Sequence, residues 1–300
     1  MSDIILLDGG MGQELIKRYS GKATPLWSAQ VMLDAPELVQ DVHADFINAG
    51  AKIITLNNYT ATPCRLKRDA SLSLLQPLHE AAIIAAEKAI AQTQRSDIRI
   101  AGCLPPLMAS YVAQAVPPED ECLEHYNALV ALQSRACDLF ICETMSTIHE
   151  ARAAANAAKA VNAEIWVGFA LDERSHNLRS GETLQDAITT MNALNVDAVL
   201  LNCAAPKTID TNLPSLISST KNAGAYANAF ESVESLGAGG TVECLKERRD
   251  LTAEEYAVHA LSWVDMGAHI VGGCCAIGPK YIAQLHKTLI EKGHHITNAL

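Results

Sequence analysis

Short apolar runs rich in β-branched residues recur along the chain, separated by longer alanine-rich stretches of helical period. Eight runs stand out: IILLD (4–8), KIITLNN (52–58), IRIAGC (98–103), LFICET (139–144), IWVGFAL (165–171), AVLLNC (198–203), AGAYAN (223–228) and HIVGGCC (269–275). Most are continuously apolar, the pattern of a parallel strand buried on both faces. The segments 34–50, 119–136, 147–163, 181–195 and 252–267 read as helices between them. In the first, Asp34 is a candidate cap, Pro36 sits in the first turn and Gly50 marks the stop. Thr252 and Glu255 have the spacing of a capping box. Pro77 falls inside the helical pattern of 71–92 and predicts a kink or a new helix start. No linker or low-complexity segment divides the chain. Eight strand–helix units predict a single (β/α)8 TIM barrel domain over residues 1–300, an α/β fold. Periodicity alone leaves an open doubly wound sheet as the alternative.

Composition narrows the function. The 300 residues carry 34 acidic and 23 basic side chains, a formal net charge of −11. That balance argues against nucleic acid as a partner, which needs clustered Lys and Arg. The basic cluster KERR at 246–249 reads as a solvated face. No stretch approaches the ~20 apolar residues that cross a bilayer. The opening MSDIILLDGG reads as a first strand rather than a secretory signal. Nine scattered cysteines fit reduced thiols in a cytoplasmic protein better than a disulfide scaffold. Cys64, Cys103, Cys122, Cys137, Cys142 and Cys244 are assigned to packing or surface.

Polar residues gather where the apolar runs finish: Asp8, Gly9 and Gly10; Asn57, Asn58 and Tyr59; Glu143 and Thr144; Asp172; Asn202 and Cys203; Asn228; Cys274 and Cys275. In a barrel these positions share the carboxyl-terminal mouth, where chemistry is built. Three thiols there, Cys203, Cys274 and Cys275, suit Zn2+, which favours sulfur and leaves one position open in a catalytic site. Two consecutive ligands require a sharp bend, which Gly272 and Gly273 would allow. The adjacent pair also fits two core thiols or a vicinal disulfide acting as a redox switch.

The ordered set LDGGMGQEL, LNNYTATP, CET, LNC and GGCC-x-x-G-P-x-x-I resembles the homocysteine S-methyltransferase family, over residues 3 to 290. The resemblance implies a (β/α)8 barrel that holds zinc with Cys203, Cys274 and Cys275 and takes the homocysteine sulfur as fourth ligand. It implies that Asp8 and Glu143 bind the substrate amino group and that the Gly9 and Gly10 amides face its carboxylate. Asn58 and Tyr59 match the second-strand loop, and Asn202 supports the first thiolate. The implied reaction methylates homocysteine to methionine from a small cationic donor, S-methylmethionine or S-adenosylmethionine. A monomer or small homo-oligomer is expected. Two departures stand out. Ala227 replaces a usual proline, and Ala276 stands where glycine or arginine is frequent, so the donor side of the pocket is expected to differ. A non-catalytic zinc- or thiol-binding barrel is the rival expectation.

Overall fold

The apolar runs become parallel strands because both of their faces are covered. A computed structural model describes residues 2–21, 24, 26, 28–236 and 245–300. Its strands are β1 (Asp3–Leu6), β2 (Ile53–Thr55), β3 (Arg99–Leu104), β4 (Leu139–Met145), β5 (Glu164–Phe169), β6 (Ala198–Asn202), β7 (Ala223–Tyr226), β8 (Ile270–Val271) and β9 (His295–Thr297). They form one sheet in the order β2-β3-β4-β5-β6-β7-β8-β1-β9, with parallel pairing throughout. The order is consecutive and lacks the reversal of a doubly wound sheet. Beyond the end of β1, Leu7 and Ile53 form a parallel bridge. There the Lys52 N–H donates to the Leu6 carbonyl at 2.8 Å and the Asp8 N–H to the Ile53 carbonyl at 3.0 Å.

The helices are α1 (Met11–Arg18), α2 (Ser28–Asp34), α3 (Pro36–Asn48), α4 (Pro63–Asp69), α5 (Leu75–Thr93), α6 (Glu119–Gln133), α7 (Ile148–Lys159), α8 (Leu184–Ala193), α9 (Pro206–Ile217), α10 (Ala253–Met266) and α11 (Pro279–Glu291). Alternate strand residues enter two cores. In β6, Val199 and Leu201 pack into the outer cluster with helix residues such as Leu213 and Leu216. Ala198 and Leu200 pack into an inner cluster with Ile5, Ile141, Trp166 and Ile270. That two-sided burial removes the polar alternation from the strands.

Local signals hold at several ends. Thr252 and Glu255 form the reciprocal capping box of α10. Pro77 lies in the first turn of α5, so it opens a helix rather than bending one. Asp34 is not a cap: Ala35 takes that place without a side-chain bond, and the Asp34 carboxylate accepts from Tyr19 and Gln30. The eighth strand stops at Val271, leaving GGCC outside it. The pattern reading also missed β9, which pairs Asp3–Ile5 with His295–Thr297. With a single buried residue, Ile296, it is too short to show a period. Among the described residues, no helix is long and apolar enough to cross a membrane.

Candidate active site

The segment after β7 acts as a splint between the loops that follow β6 and β8. The Cys203 N–H donates to the Tyr226 carbonyl (3.0 Å), the Cys274 N–H to the Ala227 carbonyl (2.9 Å), and the Ala229 N–H to the Cys275 carbonyl (3.0 Å). Asn228 Nδ2 adds a bond to the Cys203 carbonyl at 2.8 Å. These bonds bring thiols separated by 71 and 72 positions to one place. The sharp bends fall on Cys203 (φ 50°) and Ala276 (φ 64°), not on Gly272 and Gly273, which have no positive φ. Those glycines serve close approach instead. A Cβ on Gly272 would meet Leu7 Cβ at 2.5 Å, and one on Gly273 would meet Ile277 Cγ2 at 2.3 Å.

The three sulfurs lie within 4.8 Å of one another. Cys203 Sγ is 3.6 Å from Cys275 Sγ, and Cys274 Sγ is 4.0 Å from Cys275 Sγ. Sulfurs around a tetrahedral zinc, with Zn–S bonds of ~2.3 Å, sit roughly 3.8 Å apart. The trio therefore fits such an ion, and all three are free thiols rather than a disulfide. Burial pushes the Cys203 thiol up, but hydrogen bonds from Cys274, Cys275 and Tyr111 outweigh it and hold Cys203 well below an ordinary thiol. Cys274 and Cys275 shift upward, Cys274 first by burial and Cys275 first through its bond to Cys203.

Beside the sulfurs lies a pocket with about 880 Å3 of non-atom space, partly open to solvent. Asp8, Tyr59, Glu143 and the three cysteines line it together with apolar Leu7, Met11, Ile141, Phe230, Leu236 and Leu245. Asp8 accepts from the Thr55 N–H at 2.8 Å and from Thr55 Oγ1 at 3.3 Å. Burial pushes its carboxyl up to about 8, partly offset by the Thr55 N–H. Glu143 accepts a hydrogen bond from Cys103 Sγ at 2.9 Å. Burial pushes Glu143 up to about 7, with the Cys103 bond opposing and the Cys203 charge adding. Asp8 is buried and Glu143 half-buried in the same pocket, and two carboxylates so placed are costly to ionise unless a cation joins them.

The other expected residues divide. Tyr59 faces the pocket, with its hydroxyl 2.8 Å from Ser110 Oγ and Arg65 stacked 5.4 Å from its ring centroid. The Asn58 side chain turns to His79 Nδ1 (3.1 Å), while Asn57 lines the pocket. Asn202 binds Thr144 twice, Oδ1 accepting from its N–H and Nδ2 donating to its Oγ1, each at 3.0 Å. Thr144 has a left-handed φ of 60°, so Asn202 pins the turn that follows Glu143. The Gly10 N–H donates to the Ile277 carbonyl at 2.8 Å and is not free for a substrate. A Cβ on Gly10 would meet the Cys274 carbonyl at 2.5 Å, and one on Gly9 the Ile277 carbonyl at 2.1 Å. The pair lets the cysteine loop pack against the end of β1.

Sequence reasoning missed Tyr111 and the hydrogen bond that the buried Cys103 donates. Tyr111 (φ 66°) brings its hydroxyl to 2.9 Å from Cys203 Sγ, and Arg179 stacks 5.3 Å from its ring centroid. No spacing signal marks a lone tyrosine in a long loop. Cys103, assigned to packing, is the Glu143 donor. Cys244 lies outside the described residues. Neither Ala227 nor Ala276 lines the pocket. The Ala227 N–H donates to Tyr256 Oη at 3.1 Å, a bond proline lacks. Tyr256 in turn donates to the Gly272 carbonyl at 2.6 Å. Both departures thus act on the backbone behind the pocket wall.

A family model described as homocysteine S-methyltransferase matches residues 5–289. The chain is 30% identical to the homocysteine S-methyltransferase of Escherichia coli K12, with 94% of each chain covered. It is 26% identical to a selenocysteine Se-methyltransferase of Brassica oleracea, covering 96% of this chain and 89% of that protein. The structure of the E. coli homocysteine methyltransferase MmuM in its metallated form superposes with a TM-score of 0.78 at 26% identity, covering 95% of this chain and 96% of that one.

Proposed function

The chain belongs to the homocysteine S-methyltransferase family, and from that premise we propose a zinc-dependent transfer of a methyl group from a sulfonium donor to homocysteine, giving methionine. The fold we read as one closed (β/α)8 barrel domain, supported by the bridge from Leu7 to Ile53. A site of reduced thiols suits the cytoplasm.

The observation that carries the reading is the convergence of three sulfurs beside two carboxyl groups, Asp8 and Glu143, in one pocket. Cys203, Cys274 and Cys275 would hold the zinc, which keeps an incoming thiol deprotonated at neutral pH. Asp8 and Glu143 receive the substrate ammonium as a charge-assisted pair. The Gly9 amide and the first turn of α1, which line the same pocket, would offer backbone donors for a carboxylate, since the Gly10 N–H is taken. In the transfer, the thiolate electron pair forms the new S–CH3 bond as the donor's S–CH3 bond breaks. The sulfonium leaves as a neutral thioether. Opposite charges disappear in this step, and the apolar wall of Leu7, Ile141, Phe230 and Leu245 keeps out the water that would stabilise them beforehand. S-Methylmethionine and S-adenosylmethionine both carry the required positive sulfur.

Purified zinc-loaded protein supplied with homocysteine is expected to form methionine with S-methylmethionine or S-adenosylmethionine and not with betaine. Absence of methionine with every donor would reject the proposal.

A pH dependence follows from the two acids. Only their ionised forms attract an ammonium group, so KM for homocysteine is expected to fall as pH rises from about 6 to 8. The slope is at most roughly tenfold per pH unit for each proton displaced. Asp8→Asn should flatten the profile; an unchanged slope in that variant would place the ammonium elsewhere. The linked effect on folding has the opposite sign. Carboxyls raised above their unfolded values near ~4 stabilise the substrate-free fold at low pH. That contribution is lost as pH rises through about 7 and 8.

A further inference from the structure

A second cluster of ligand-type side chains lies on the outer helices, on elements other than those that carry the sulfur trio. We infer that Cys64, Glu121 and His125 form a separate metal site, taking a borderline-soft divalent ion such as zinc and tying α4 to α6. Glu121 and His125 are four residues apart on α6, which places both on one helix face. Cys64 comes from the first turn of α4. The thiol sulfur, a carboxylate oxygen and an imidazole nitrogen all lie within 4.8 Å of one another. His125 Nε2 stands 3.6 Å from Glu121 Oε1, too far for a hydrogen bond and close enough to share an ion.

The same three residues line a surface depression together with Asp120 and Glu124, whose charges favour a cation. Lys67 and Arg68 stand on the same rim and oppose it. Arg68 is already engaged, pairing with Asp69 and donating to the Met108 carbonyl at 2.8 Å. A sulfur, nitrogen and oxygen donor set selects zinc-like ions over magnesium or calcium, which require oxygen ligands. Burial, then Glu121, pushes the Cys64 thiol up to about 11, so it is protonated at neutral pH. The ion replaces that proton, which passes to solvent. Three protein ligands leave a position for water.

The site has a mechanical consequence. Helix α4 starts at Pro63, a few residues after the 57–59 loop, and its Arg65 stacks on Tyr59 in the substrate pocket. An ion between Cys64 and α6 would fix α4, and with it the base of that loop.

Zinc per chain, measured after equilibration with a small excess of Zn2+ and gel filtration, tests the inference. Wild type is expected to hold two equivalents. Cys64→Ser and, separately, His125→Ala are expected to hold one. Zinc should also raise the Tm of wild type about 5 °C further than that of Cys64→Ser, since an ion that binds only the folded state stabilises it. One equivalent in wild type that Cys203→Ser loses, or equal zinc content in wild type and both variants, overturns the site. Cys203→Ser separates the two centres, because it should still hold the ion bound at Cys64.

Discussion

Cys274→Ser is expected to strip the ion from the sulfur trio and to lower kcat/KM for methyl transfer by more than about 100-fold. Loss of a group that merely supports a metal ligand already costs ~10–100-fold, so loss of a ligand sets a larger effect. Serine nearly matches cysteine in volume, so the buried position stays filled. The chemistry changes because the hydroxyl does not ionise under these conditions and sulfur is the preferred donor. Cys275→Ser should behave alike, and the double variant should cost little more than either single one, as expected of groups that act as a unit. Metal content and methionine formation are measured on the same preparation. Full activity without the ion would remove the trio from the mechanism.

Glu143→Gln is expected to raise KM for homocysteine by about 10- to 150-fold, the range that a charge-assisted hydrogen bond worth ~1.5–3 kcal/mol provides. The donor's KM should move far less, since Glu143 is read as a partner of the acceptor's ammonium. Glutamine keeps the shape and an oxygen that still accepts from Cys103 Sγ. It also removes a half-buried charge that desolvation already disfavours. The Tm of the substrate-free variant should therefore hold or rise slightly. An unchanged KM would assign the ammonium to Asp8 alone, and a fall in Tm would make Glu143 a structural residue.

Much of the candidate site is legible in the sequence. Strand ends in a parallel α/β fold share one edge, so the placement of Asp8, Glu143, Cys203, Cys274 and Cys275 after apolar runs was enough to bring them to one pocket. The expectation for Asn202 as a support was also legible, although what it supports is the turn after Glu143. The misreadings have a common cause. Asn57 and Asn58 are neighbours at a strand end, and a one-residue difference in position reverses which side chain faces inward. Gly10 looked like a free amide donor because nothing in its own segment shows that the Ile277 carbonyl occupies it. Ala227 looked like a change in the donor pocket, yet its effect is an N–H for Tyr256.

By itself, the sequence determined the strand–helix alternation, the capping box of α10 and the set of ionisable and thiol groups available to the mouth. These follow from periodicity and residue chemistry, which are local. Tertiary structure alone decided the bends at Cys203 and Ala276, the bond from Tyr111 to Cys203 and the donation from Cys103 to Glu143. It also decided the pairing of β9 with β1. Each of these depends on distances between segments far apart in the chain, and no local pattern encodes a distance across the fold.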